Sequence, residues 1–223
     1  MHVDDAILSR RSVRRFLPIP VPRETLEHLL HVARQAPSGS NIQPWQVHVV
    51  SGEPLAALSN ALQAAFDGEP GQHQAEYVYY PREWFEPYIS RRRRCGYGLY
   101  ETLGIHREER DKRLAQARRN YAFFDAPVAM ILTLDRRLDT GSFMDCGMFL
   151  QSLMLAARGQ GLHSCAQAAI APYHRVIREQ LTLDDSELVL CALALGHADP
   201  NAPENGFVPE REGLERFTRF YGG

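Results

Sequence analysis

Lysine is almost missing from this sequence: of 25 basic residues only Lys112 is a lysine, and the other 24 are arginines. A phosphate-binding Gly-Lys-Ser/Thr loop therefore has no place in it. Schiff-base chemistry would fall to Lys112, inside the charged run 107–119, which reads as solvated rather than desolvated. Nucleotide triphosphatases and pyridoxal phosphate enzymes are excluded on these grounds. Cysteine is also sparse. Cys95, Cys146, Cys165 and Cys191 make no CxxC pair, so neither a zinc site nor a disulfide framework is indicated. Cys146 and Cys191 fall in expected core elements, and free buried thiols fit a reducing compartment. No apolar run approaches the roughly 20 residues that span a bilayer, and the N-terminal stretch carries no signal-peptide pattern. A net charge of −2 gives no reason to expect a polyanion. The expectation is a cytoplasmic protein with neither a membrane nor a nucleic acid as partner. No Ser-His-Asp set, HExxH or GxSxG is found either.

What remains is an ordinary globular composition, 44% hydrophobic and 23% charged, over 223 residues. That length suits one well-buried domain spanning 1–223. Periodicity predicts helices over residues 3–9, 23–35, 54–66, 106–123 and 142–158, one starting at Pro172, and a short one after residue 212. Strands are expected over 46–51, 128–134, 162–167 and 187–195, the last fully apolar and therefore central. The helix over 142–158 carries apolar residues around nearly its whole circumference. Such a helix must be covered on all sides, and one sheet covers a single side, which implies a second copy of the chain. His28 and His31 sit one turn apart but lack acidic or cysteine partners, and read as surface histidines. Residues 67–104 begin without periodicity and gather Tyr77, Tyr79, Tyr80, Trp84, Phe85 and Tyr88. Insertions of this kind usually cover a site.

The stretch most suited to holding a ligand is Ala36-Pro37-Ser38-Gly39-Ser40-Asn41-Ile42-Gln43-Pro44-Trp45, between a helix and a strand. Pro37 and Pro44 stiffen its ends, and Gly39 is expected to adopt backbone angles closed to other residues. Asn41 and Gln43 donate and accept at once, which suits the mixed edge of a heterocycle. Upstream, Arg10-Arg11-Ser12-Val13-Arg14-Arg15-Phe16 interleaves cations with two apolar anchors, so some of its arginines must point inward. Arginine forks match phosphate oxygens in pairs.

Four stretches resemble the nitroreductase family of flavin mononucleotide (FMN) enzymes, in the family's order: Arg10 to Arg14; Pro37 to Trp45; Gly161-Leu162 with Cys165-Ala166-Gln167-Ala168-Ala169; and Ala194-Leu195-Gly196-His197-Ala198-Asp199. The segment Gly98 to Ile105, with Asn120-Tyr121 before Asp125-Ala126-Pro127, looks most like the branch that includes nitrobenzoate and dinitroaniline reductases. The resemblance implies an α+β sandwich with a central mixed sheet flanked by helices. It also implies an interlocked homodimer with FMN at the subunit interface, and electrons from NADPH or NADH. Carried over by position, Arg10, Arg11 and Ser12 hold the FMN phosphate and ribityl chain, Arg211 adds a cation from the tail, and Arg14 faces the pyrimidine edge. Ser38, Gly39 and Ser40, supplied by the partner subunit, pack against the ring, with Pro37, Asn41 and Gln43 in the same set. Ala168 and Ala169 bring main-chain amides to flavin N5, and Gln167, Gly196 and Asn120 complete the set. Relatives with a lysine at the pyrimidine edge differ from this chain, whose Arg14 keeps the charge and changes its geometry.

The implied activity is ping-pong reduction of a nitroaromatic or similar planar acceptor, with the chemistry at flavin N5 and no side-chain nucleophile. Other readings keep the fold and change the acceptor to quinones, activated alkenes or halogenated aromatics, or make the protein a flavin sensor or store without turnover. A nucleic-acid role through Arg91 to Arg94 is a further alternative.

Overall fold

The structure is a computed structural model that describes residues 1–68 and 71–222. Residues 69 and 70 of the expected insertion, and Gly223, lie outside the described residues. At its centre is a four-stranded sheet in the order β1-β2-β4-β3. The strands are β1 (Gln46–Ser51), β2 (Val128–Asp135), β3 (His163–Gln167) and β4 (Glu187–Gly196). All three pairings are antiparallel, which corrects the expected mixed sheet. The parallel element is reduced to one isolated bridge, Ser12 to Ser164.

β2 and β4 are apolar at nearly every position because both faces of the sheet are covered. On one face Met130, Leu132, Leu193 and Leu195 meet α2 (Arg23–Ala33) and α6 (Thr140–Gly159) through Leu29, Cys146, Phe149 and Leu153. On the other, Ala129, Ile131, Ala192 and Ala194 meet α3 (Gly52–Gly68) and α7 (His174–Leu181) through Leu58, Leu62 and Ile177. Small residues at the second face let the helices and the segment Arg119–Asp125 approach closely, with Phe123 fully buried.

α6 departs from the expectation in an informative way. α1 (Val3–Ser9) and α2 of the same chain already cover part of its outer surface. What they leave open is Met144, 70% exposed, and Met148, 39% exposed. The helix expected over 106–123 is shorter, α5 (Arg110–Arg118), and passes into a 3₁₀ stretch. Phe123, Phe124 and Asp125 take left-handed angles there, which ends the helix and turns both phenylalanines into the core. α4 (Tyr88–Thr102) has no buried residue and is held to the tail by Arg91–Glu212 and Arg94–Glu210 ion pairs. A short α8 (Leu214–Phe217) ends the chain, with Leu214, Phe217, Phe220 and Tyr221 exposed.

Candidate functional site

Two groups of candidate residues converge on β3. The segment after α1 runs beside this strand: Ser12 bridges Ser164, and the Val13 amide donates to Ser164 O at 3.1 Å. Val13 and Phe16 are buried and pin the segment down, so Arg10, Arg11 and Arg14 are partly buried too. The register is fixed from the far end of the chain by Asn205, 4% exposed. Its Oδ1 accepts from the Arg14 and Arg15 amides at 2.8 and 3.2 Å, and its Nδ2 donates to Arg15 O and Asp199 O at 2.8 and 2.9 Å.

The charge around β3 is of one sign. Burial pushes the Cys165 thiol up, while Arg14, a hydrogen bond from Ser12 and Arg10 pull it back. Burial, Arg158, Arg11 and His197 together lower His163 to about 4. Arg158 closes the group from the C-terminal end of α6, donating to Ser9 Oγ at 3.3 Å and to Leu162 O at 3.0 Å. Among the described residues no carboxylate pairs with Arg10, Arg11, Arg14 or Arg158. By contrast Arg15 and Arg119 are paired with Asp125 and the buried Glu204. Four unpaired cations in one place call for an anion. Arg158 and His163 carry no local signal in the sequence, because only folding brings α6's end to Arg11.

At the other end of β3 lies a cavity of about 480 Å³. Gln167, Ala168, Ala169 and Asn120 line one side, and Tyr77, Tyr79 and Tyr80 of the insertion line the other. Gln167 is held by Nε2 donating to Asn120 O at 2.8 Å, with the Asn120 side chain tied to Ala117 O. Its buried Oε1 has no partner, nor has the buried Ser164 Oγ nearer the arginines. Gln167 lines the cavity, whereas Ser164 faces the other side of the sheet with its cross-strand partner Leu195, so an elongated anionic ligand would meet the cationic end, the cavity and the Gln167 side.

The loop 37–45 stands elsewhere. Gly39 N donates to Asp145 Oδ1 at 3.2 Å, near the start of α6. Arg158 is thirteen residues further along that helix, which at its rise per residue is about 20 Å away. Pro37, Gly39, Ser40, Asn41 and Gln43 are exposed, and Ser38 is half-buried. One chain thus does not bring the loop to the cradle. The expectation for Gly39 is also corrected: Ser40, Asn41 and Gln43 take the left-handed angles, with φ of 49, 57 and 48°. The Gln43 amide donates to Ser38 Oγ and Gln43 Nε2 to Asn41 O, so side chains of the loop itself support its turn.

Two further candidate residues have local contacts of their own. Gly196 is buried at the end of β4, where an added Cβ would lie 2.6 Å from Pro127 and 3.3 Å from Phe16, so its smallness serves packing. Arg211 bonds the carbonyls of Pro209 and Glu210 and lines a separate cavity with α4, because the tail is tied to that helix. Of the arginine run, Arg91 and Arg94 are paired with glutamates and Arg92 lies 4.7 Å over Trp84.

An α+β sandwich with a cationic cradle at one end of the edge strand β3 and an aromatic-lined cavity at the other defines the class. The chain belongs to the nitroreductase family, whose model matches residues 7–197. It is 40% identical over 218 residues to nitrobenzene nitroreductase of Ectopseudomonas oleovorans, covering 98% of this chain and 96% of that protein. It is 39% identical over 222 residues to 4-nitrobenzoate reductase of Pseudomonas putida, covering 98% and 95%. Among solved structures, the FMN- and NADPH-dependent nitroreductase NfnB from Sphigopyxis sp. strain HMH superposes with a TM-score of 0.97 at 39% identity, covering all of both chains.

Proposed function

We propose that this protein is an FMN-dependent oxidoreductase that uses NADPH or NADH to reduce nitroaromatic acceptors. The observation that carries the reading is the unpaired cation group of Arg10, Arg11, Arg14 and Arg158 at one end of β3, with the cavity of Gln167, Ala168 and Ala169 at the other. FMN suits this set: a phosphate for the arginines, a hydroxyl for the orphaned Gln167 Oε1, and a flat ring for the cavity. Bound there, FMN would accept hydride from the nicotinamide and deliver it to the acceptor.

The chain's own work is binding, orientation and charge. Arg10, Arg11 and Ser12 hold the phosphate end, and Arg158 closes it. Arg14 is anchored by its amide on Asn205 and by its guanidinium on Ser12 O, so it presents a fixed positive charge to an electron-rich edge. Ala168 and Ala169 carry side chains too small to bar a ring from the main chain. Tyr77, Tyr79 and Tyr80 supply faces for a planar acceptor.

The working unit is a homodimer. The separation of about 20 Å along α6 between Asp145, which anchors loop 37–45, and Arg158 supports this, since a partner's loop would complete the ring-binding side with Ser38, Gly39, Ser40, Asn41 and Gln43. Exposed Met144, Leu8, Phe217 and Phe220 supply apolar surface for such a seam. Three buried, unpaired thiols fit a reducing, cytoplasmic setting. Among the described residues no helix is long and apolar enough to cross a membrane.

Arg11→Ala tests the cradle. Losing one charge-assisted phosphate contact should weaken FMN binding by roughly tenfold or more, about 1.5–3 kcal/mol. Activity should return in excess FMN, with the circular dichroism spectrum unchanged. Unaltered FMN retention would contradict the assignment.

A further inference from the structure

The pairing of β2 with β4 slips by one residue: Leu132 faces Cys191 and Thr133 faces Val189, so Leu190 has no partner across the ladder. Leu190 and Cys191 accordingly turn to the same face, toward the cluster that α6 fills. A bulge of this kind leaves a carbonyl outside the ladder, and a buried carbonyl needs a donor. The donor is the Tyr77 hydroxyl, 2.5 Å from Leu190 O. The Tyr77 ring meets Phe143 of α6 edge-on, with centroids 5.3 Å apart. One residue earlier, Glu76 accepts from Arg136 at 2.9 Å and approaches His174 Nδ1 at 3.3 Å. Tyr79 and Tyr80 are 59% and 57% exposed and pack edge-on against each other. On the sheet side the insertion is thus riveted at residues 76 and 77, with its rivet on the wall of the 480 Å³ cavity.

We propose that Tyr77 is a positioning residue for the acceptor: its bond to the bulge carbonyl fixes the cavity wall from which Tyr79 and Tyr80 stack on a planar ring. This assignment rests on the functional reading above. A small single-ring acceptor has only the cavity walls to hold it, so it depends on their position. A dinucleotide makes contacts along its whole length and depends on them less.

The test is Tyr77→Phe in the FMN-loaded protein, which keeps the ring and deletes the hydroxyl. The KM for nitrobenzene should rise about fivefold, the effect of one lost hydrogen bond. The maximal turnover, the rate at which NADPH bleaches the flavin, and flavin content should stay within about twofold of wild type. Tyr97→Phe, an exposed tyrosine of α4 that does not line the cavity, should behave as wild type in all four. An unchanged KM in Tyr77→Phe would overturn the proposal, as would an equal loss in the NADPH half-reaction, which marks a general structural role. A wild-type protein that binds no FMN would instead overturn the functional reading, and this assignment with it.

Discussion

His163 illustrates how one residue registers the charge that surrounds it. Burial first, and then Arg158, Arg11 and His197, hold its folded-state value at about 4, against 6.5 unperturbed. The neutral ring fits its contact, because Nδ1 accepts from the Ala198 amide at 3.3 Å and protonation there would remove the acceptor. The folded value is depressed, so the unfolded chain takes up the proton first as pH falls. The group's contribution to stability is whole above pH 6.5, declines between 6.5 and about 4, and falls no further below that. Discounted for the ring's partial exposure, the effect is about 1 kcal/mol. For a chain of this size that corresponds to roughly 2–4 °C in melting temperature. In flavin-free protein, His163→Asn should flatten the acid-side melting curve by that amount relative to wild type. Equal slopes for the two proteins would show that the cations do not act on His163. Among candidate site residues, Arg10, Arg11, Ser12 and Arg14 were legible because cations alternate with apolar anchors there. Arg158 and His163 were not, since the sequence keeps them 147 or more positions from Arg11 and nothing local marks either.

At the scale of elements, pattern and outcome agree where one face of an element meets the core. α1 and β1 have the expected limits, and α6 differs from expectation by two residues at its start and one at its end. Agreement fails where the backbone changes handedness. Periodicity reports which side chains are buried, and it cannot report that Phe123 and Phe124 are buried by left-handed turns rather than by a continued helix. The same holds for loop 37–45, where the strained positions are Ser40, Asn41 and Gln43 and not Gly39. The mixed sheet expected from family resemblance shrinks to the Ser12–Ser164 bridge because the segment after α1 pairs with β3 at one point only. That segment is instead held by Asn205, three of whose four hydrogen bonds join it to the tail. At about 0.5–1.5 kcal/mol for each of the four bonds, Asn205→Ala should cost about 2–6 kcal/mol of stability. Denaturant unfolding measures this directly, and a loss below about 0.5 kcal/mol would mean that the segment is held otherwise.

For the whole molecule, the open question of sequence was what covers α6. Part of the answer lies within the chain, in α1 and α2, and the remainder is the exposed strip of Met144 and Met148 that the proposed second copy would cover. That assembly matters to function because the loop and the arginine cradle sit near opposite ends of α6 in one chain. Family membership, the unpaired cations and the cavity at the end of β3 all bear on one claim, that a flavin lies along this strand and carries electrons between two substrates. The most direct measurement is the visible spectrum of the FMN-loaded protein under anaerobic conditions. One equivalent of NADPH should bleach the flavin absorbance, and nitrobenzene added afterwards should restore it. A protein that stays colourless with added FMN, or one whose bleached flavin is not reoxidised by nitrobenzene, would contradict the account.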